Sequence, residues 1–318
     1  MNRRSFLQQT GRQALGLAVL PLAAQAAAPA ATSRQRVLRA AHLTDIHVQP
    51  GLGAPAGMAA ALRHAQGLAD RPDLILFGGD CIGDALENPR ESVLEQWAVW
   101  DRVLAAELHL PACQCLGNHD IFGWKMRGRP GVEQDALYGK TSALERLGLK
   151  SSFYSFDRAG WHFVVLDSMQ IDGSNQGYIA RLDEAQFAWL EHDLATTPSA
   201  TPVCVLSHIP ILSAASFFDG DLATTGNWIV PGAWMHIDAR RIKDLFYRHP
   251  NVKVCLSGHL HMEDDVTYLG VRYLCNGAVC GGWWKGKNQQ FGPAYAVIDF
   301  YADGRVDHQM VTFTPPPV

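Results

Sequence analysis

Five short polar clusters carry residue types that can do chemistry. In chain order they are Asp45-Ile46-His47, Gly79-Asp80, Gly117-Asn118-His119-Asp120, His208, and Gly258-His259-Leu260-His261. Taken singly each is ordinary: Gly-Asp marks turns, and a lone His before Ile-Pro is commonly a core or surface residue. Together they offer carboxylate, imidazole and amide-oxygen donors, a mixture that suits borderline metals such as Mn, Fe and Zn. Asp45 and His47 alternate along a segment expected to be extended, so they can point to one side, and His259 and His261 share that spacing. Asp80 has two carboxylate oxygens and can be shared. The seven candidates then make two sets of four donors for two divalent transition-metal ions, the arrangement that clamps a phosphoryl group for in-line displacement.

The elements that must position these clusters are readable from hydrophobic patterning. Apolar β-type runs at Val37–Thr44, Leu74–Phe77, Ala112–Leu116, Phe163–Leu166, Val203–Leu206 and Val252–Leu256 each end in Gly, Ser, Asp, Asn or His. Helix-period segments at Ala59–Ala69, Ser92–Ala106, Ala185–Leu194 and Ala239–Tyr247 lie between several of them. Strand–helix alternation predicts an α/β fold, whose ligand sites lie beyond the carboxyl ends of the strands. The last third changes character: hairpins are expected over Thr267–Leu274, with Gly270 in the turn, and over Ala294–Phe313.

In this order and combination the clusters resemble the signature of the calcineurin-like metallophosphoesterase superfamily: Asp-x-His, Gly-Asp, Gly-Asn-His-Asp/Glu, His, Gly-His-x-His. The resemblance implies a four-layer α/β/β/α sandwich of two mixed sheets flanked by helices over residues 36–318. It implies that Asp45, His47, Asp80 and His261 hold one ion, and Asp80, Asn118, His208 and His259 the other. It implies hydrolysis of a small phosphoester by water activated on the metals. His119 would then be the general acid near the leaving oxygen, with Asp120 orienting or charging its imidazole. The pattern is most similar to class III cyclic-nucleotide phosphodiesterases and exported bacterial phosphohydrolases, so a phosphodiesterase is expected. A monoesterase or nucleotidase of the same fold is the alternative. Non-catalytic scaffolds on this fold lose ligands, whereas this chain keeps all seven and His119. Gly83 stands three residues after Asp80, where purple acid phosphatases carry a Tyr.

Two aromatic features follow the histidine clusters. Trp283 and Trp284, on a Gly-rich segment, are candidates either to floor a substrate pocket or to plug the sheet edge. The run Ser213–Met235, with Phe217, Phe218, Trp228 and Trp234, is long for a loop without structure, and such loops are often functional. His42, His162, His236 and His249 match no motif.

The chain's 318 residues are 47% hydrophobic and 18% charged, enough for a sizeable core. The formal net charge is −4, and the first 29 residues contribute three arginines and no acid, leaving −7 on the remainder. A mildly acidic body lacks the basic footprint of a binder of nucleic-acid polymers. Arg3-Arg4-Ser5-Phe6-Leu7-Gln8, the apolar stretch Ala14–Ala24 and Ala24-Gln25-Ala26 read as a twin-arginine-type signal peptide over 1–26, followed by a linker over 27–35. That reading makes the twin-arginine export machinery a partner and the periplasm, or secretion, the destination. The seven cysteines cannot all pair within one chain, and Cys204 and Cys255, inside apolar runs, are expected in the core.

Overall fold

The structure is a computed structural model that describes residues 35–317. The signal-peptide reading over 1–26 and all but the last residue of the linker lie outside the described residues. The elements run β1 (Arg36–Leu43), α1 (Ala54–Gln66), β2 (Leu74–Phe77), α2 (Arg90–Glu107), β3 (Ala112–Gln114), α3 (Thr141–Arg146) and β4 (Tyr154–Arg158). They continue with β5 (Trp161–Leu166), β6 (Met169–Ile171), β7 (Tyr178–Ala180), α4 (Glu184–Thr196), β8 (Val203–Ser207), α5 (Ala239–Arg248) and β9 (Val252–Ser257). The chain closes with β10 (Asp264–Tyr268), β11 (Val271–Cys275), β12 (Ala294–Tyr301) and β13 (Val306–Thr312).

Two mixed sheets form, ordered β13-β12-β1-β2-β3 and β10-β11-β9-β8-β5-β4. Side-chain alternation explains how they stack. Leu38 and Ala40 of β1 share a buried cluster with Trp161, Phe163 and Val165 of β5 and with Val254 and Leu256 of β9, so this cluster joins the two sheets. The opposite face of β1, Ala41 and Leu43, packs with Met58 and Leu62 of α1 and Trp97 and Trp100 of α2. On the second sheet Val164, Leu166 and Val205 face Phe187 and Leu190 of α4 and Leu245 and Phe246 of α5. The result is the expected α/β/β/α sandwich. Cys204 and Cys255 are buried, and all seven cysteines are free.

The parallel strands β1, β2 and β3 end together on one sheet, and β8 and β9 end together on the other. Their carboxyl ends therefore bring the clusters after residues 43, 77, 114, 207 and 257 to one rim. The two late hairpins form as expected, with Gly270 at a φ of 86° in the first turn. The first helix begins five residues before its apolar periodicity, because Pro55 in its first turn has no amide hydrogen to lose there. His162, outside every motif, bridges Asp157 and Asp193 at 2.7 and 2.8 Å at the sheet edge.

Candidate metal centre

The clusters sit on turns, not on extended chain. Asp45, His47, Asp80, His259 and His261 have φ of 54°, 46°, 52°, 71° and 55°. The two-residue spacing does turn both side chains of each pair inward. It does so because the backbone is left-handed at each of them, which corrects the extended reading of Asp45-x-His47 and His259-x-His261. Left-handed backbone costs a non-glycine residue about 1–2 kcal/mol. Cross-loop bonds hold it here: Asp45 N–H donates to Gly79 O at 3.1 Å, His47 N–H to Asp80 O at 3.0 Å, and His259 N–H to the Asp45 carboxylate at 2.9 Å. The motif glycines follow from this crowding. A Cβ at Gly117 would overlap the Asp80 backbone nitrogen, and one at Gly258 would overlap Thr44 Oγ1 and Asp45 Oδ2.

The donor atoms converge in two sets. In the first, His47 Nε2 lies 3.1 Å from His261 Nε2 and 3.5 Å from Asp80 Oδ2, and His261 Nε2 lies 3.4 Å from Asp45 Oδ1. In the second, His208 Nε2 lies 3.2 Å from Asp80 Oδ2 and 3.1 Å from Asn118 Oδ1, and a His259 ring nitrogen joins Asp80 and His208 within 4.8 Å. The sharing of Asp80 differs from the expected use of both oxygens. Oδ2 faces both sets, while Oδ1 accepts the His119 N–H at 2.8 Å.

Backbone carbonyls fix which imidazole nitrogen faces inward. His208 Nδ1 donates to Gly78 O at 2.8 Å, His261 Nδ1 to Gly281 O at 2.8 Å, and His47 Nδ1 to Gly83 O at 3.3 Å. Each bond turns Nε2 toward the cluster, the outer-shell arrangement found around metal-ligating histidines. The charges match. Burial pushes His47 and His259 down to about 3, leaving them neutral donors. Burial opposes the negative charge on Asp45 and Asp80, but the neighbouring histidines outweigh it and lower both. Burial likewise opposes a proton on His208, yet Asp80 raises it to about 9; His261 is raised against its burial by Cys280 and Asp45. Protons on His208 and His261 thus balance the buried carboxylates. A divalent cation would do the same and leave every Nε2 free to donate, so the residues present fit two ions.

His119 lies beside the donors, its ring 5.0 Å from that of His47. Its Nδ1 is 2.9 Å from Asp84 Oδ1. Burial works against a charge on it, but Asp80 and the Asp84 hydrogen bond more than offset this and raise its pKa. Asp84, not Asp120, is therefore its partner. Asp120 is buried and accepts from Cys81 N–H at 2.8 Å and Gly117 N–H at 2.9 Å, tying the β2 and β3 loops together. The adjacent position carries the carboxylate into the backbone of the turn, away from the imidazole. Asp84 was a legible candidate, since Gly83-Asp84 repeats Gly79-Asp80 four residues on.

The two tryptophans separate. Trp283 is 38% exposed, and its ring centroid lies 3.9 Å from that of His47 and 5.0 Å from that of His119. Trp284 is buried; its Nε1–H donates to Ile46 O at 2.9 Å and His47 O at 3.2 Å. Trp284 is thus a structural prop, which removes it from the substrate-binding candidates. In the 213–235 segment, Trp228 meets Phe217 and Phe218 edge-on, with Phe218 and Trp228 exposed and Trp234 packed against the core. Gln289 Nε2 donates to Phe218 O at 3.3 Å, and Asn288 Nδ2 to His261 O at 3.3 Å, so this aromatic group stands beside the His261 turn. Tyr178, missed in the sequence, lines the His259 side at 6.4 Å between ring centroids.

Comparison with known proteins agrees with this geometry. The family model described as calcineurin-like phosphoesterase matches residues 38–263, which include all seven donors and His119. The chain is 26% identical over 237 residues to the 3',5'-cyclic adenosine monophosphate phosphodiesterase CpdA of Escherichia coli, covering 73% of this chain and 71% of that protein. It is 25% identical over 276 residues to a 3',5'-cyclic-nucleotide phosphodiesterase of Nostoc, covering 83% and 88%. A dimetal phosphatase from Danio rerio shares the fold, with a TM-score of 0.59 at 15% identity over 88% of this chain and 100% of that one.

Proposed function

This chain belongs to the calcineurin-like phosphoesterase family, and on that footing we propose that it is a phosphodiesterase for substrates bearing an aromatic or apolar group. It is a hydrolase acting on phosphoester bonds. Asp45, His47, Asp80 and His261 would hold one divalent transition-metal ion, and Asp80, Asn118, His208 and His259 the other. The ions, when bound, supply charge stabilisation at the phosphoryl group and acidify water.

The chain's own residues do the rest. The upward shift of the His119 pKa favours its protonated form, Asp84 fixes its ring through Nδ1, and Nε2 is left to give a proton to the leaving oxygen. The P–O bond to that group breaks, and water provides the oxygen that replaces it. The observation that carries the substrate reading is the partly exposed Trp283 ring lying against both His47 and His119. A base on the leaving side can stack there, and a cyclic nucleotide is the first candidate, in keeping with the names of the relatives.

Stacking one base on an aromatic ring is worth about 1–3 kcal/mol, roughly a 5- to 150-fold change in affinity. Trp283→Ala is therefore expected to raise KM for a cyclic nucleotide by that factor. A diester without a ring, such as a dialkyl phosphate, should be little affected. Parallel losses on both substrates, with a lower Tm, would remove Trp283 from substrate recognition.

We propose further that the protein is exported to the periplasm by the twin-arginine route, on the strength of Arg3-Arg4 and the Ala24-Gln25-Ala26 cleavage site. Lysine does not reproduce the planar guanidinium. Replacing Arg3 and Arg4 together by Lys should leave precursor in the cytoplasm on fractionation, and unchanged delivery would mean another route.

A further inference from the structure

One short segment beyond the family-matched residues props up most of the first donor set. Val279 N–H donates to Thr44 O at 3.0 Å and Cys280 N–H to Asp45 O at 3.2 Å. Gly281 O accepts from His261 Nδ1, and Trp284 Nε1–H reaches Ile46 O and His47 O. Cys280 Sγ lies 3.8 Å from His261 Nδ1 and within 4.8 Å of a His47 ring nitrogen. Asp45, His47 and His261 are thus each held, through carbonyl or ring, by residues 279–284. Trp283 and Trp284 themselves have φ of 58° and 62°, a strained backbone that persists where surrounding contacts over-determine it. The Trp284 ring also lies close enough to α1 that a Cβ at Gly57 would overlap it. The second set is held largely from elsewhere, His208 by Gly78 O and the Asn118 turn by Asp120, with only the His259 N–H tied to the Asp45 carboxylate.

We propose that residues 279–284 form a positioning loop that sets the affinity of the Asp45–His47–His261 metal position selectively, with Trp284 as its anchor. The loop also carries Trp283, so the residue that faces substrate and the residue that steadies His47 are neighbours on one rigid turn. This rests on the dimetal reading of the site given above. Trp284→Phe keeps an aromatic ring at this position but deletes the N–H that holds Ile46 O and His47 O, together with part of the indole volume packed against Gly57. Loss of an outer-shell partner typically weakens metal binding by about 10–100-fold.

The test uses metal-loaded protein titrated with a competing chelator, with released Mn(II) measured directly. In Trp284→Phe one of the two ions should leave at a chelator concentration lower by about that factor, while the other is unchanged. Adding Asn118→Ala should weaken the second ion as well, identifying which position each step reports. Gly57→Ala, whose Cβ would press on the Trp284 indole from the helix side, should reproduce the selective loss; the overlap is an overpacking that costs about 1–3 kcal/mol, so its Tm is compared with that of wild type in the metal-loaded form. Equal weakening of both ions, or a lower Tm with both affinities intact, would overturn the positioning role. A wild-type protein that does not hold two ions would instead overturn the dimetal reading itself.

Discussion

An Asp80→Ala protein is expected to lose most of both metal ions and about 10³-fold or more in turnover. The reason is geometric. Asp80 Oδ2 alone stands 3.5 Å from His47 Nε2 and 3.2 Å from His208 Nε2, so removing it takes a donor from each set at once. Bound metal contributes several kcal/mol of transition-state charge stabilisation, and each 1.4 kcal/mol is a factor of ten in rate. The substitution also leaves the His119 amide without its carboxylate acceptor. Elemental analysis of purified protein, alongside hydrolysis of a chromogenic diester, checks the expectation. An alanine variant with both ions and full activity would rule out the shared oxygen. Thermal melting separates metal loss from misfolding, since added Mn(II) should stabilise wild type and not the variant.

His119→Ala is expected to lower turnover by about 10²–10⁴-fold, the usual scale of general acid catalysis, with metal content near that of wild type. Its side chain is not among the inward-facing donors; it touches Asp84 and the face of the site instead. The loss should shrink for leaving groups that are weak bases, because they depart with little protonation. A uniform loss across leaving groups would argue against proton donation. Asp84→Asn supplies the pH test. Asp84 helps raise the pKa of His119, so removing its charge lowers that pKa. The acid form is then lost at lower pH, and the alkaline limb of the kcat profile should move toward acid. A profile that keeps its alkaline limb in place would mean that another group, or none, is the acid.

The order of clusters along the chain already contained the chemistry, because metal donors have few substitutes: a carboxylate, an imidazole or an amide oxygen must stand at each place. Strand–helix alternation contained the α/β class, and the family resemblance implied the layers. Alternation in β1, β5 and β9 set Leu38, Ala40, Phe163 and Val254 against one another and turned Ala41 and Val164 toward helices. Such patterns are local, with periods of two or about 3.6 residues, and so are legible without a fold.

What lay beyond the sequence depended on contacts between segments far apart in it. Asp120 sits next to His119, but its carboxylate serves the amides of Cys81 and Gly117, and Asp84, 35 residues upstream, serves the imidazole. Trp283 and Trp284 are adjacent and alike in composition, yet consecutive left-handed residues send one ring to the mouth of the site and the other beneath the His47 turn. The left-handed turns at Asp45, His47, Asp80, His259 and His261 were equally hidden, since no residue there is a glycine that would advertise them. The sequence by itself determined which atoms can bind metal and that the sheets would present them at one rim. Only the tertiary structure decided which neighbour holds each of them, because hydrogen bonds between loops have no period along the chain and exist only once the two sheets have brought those loops together.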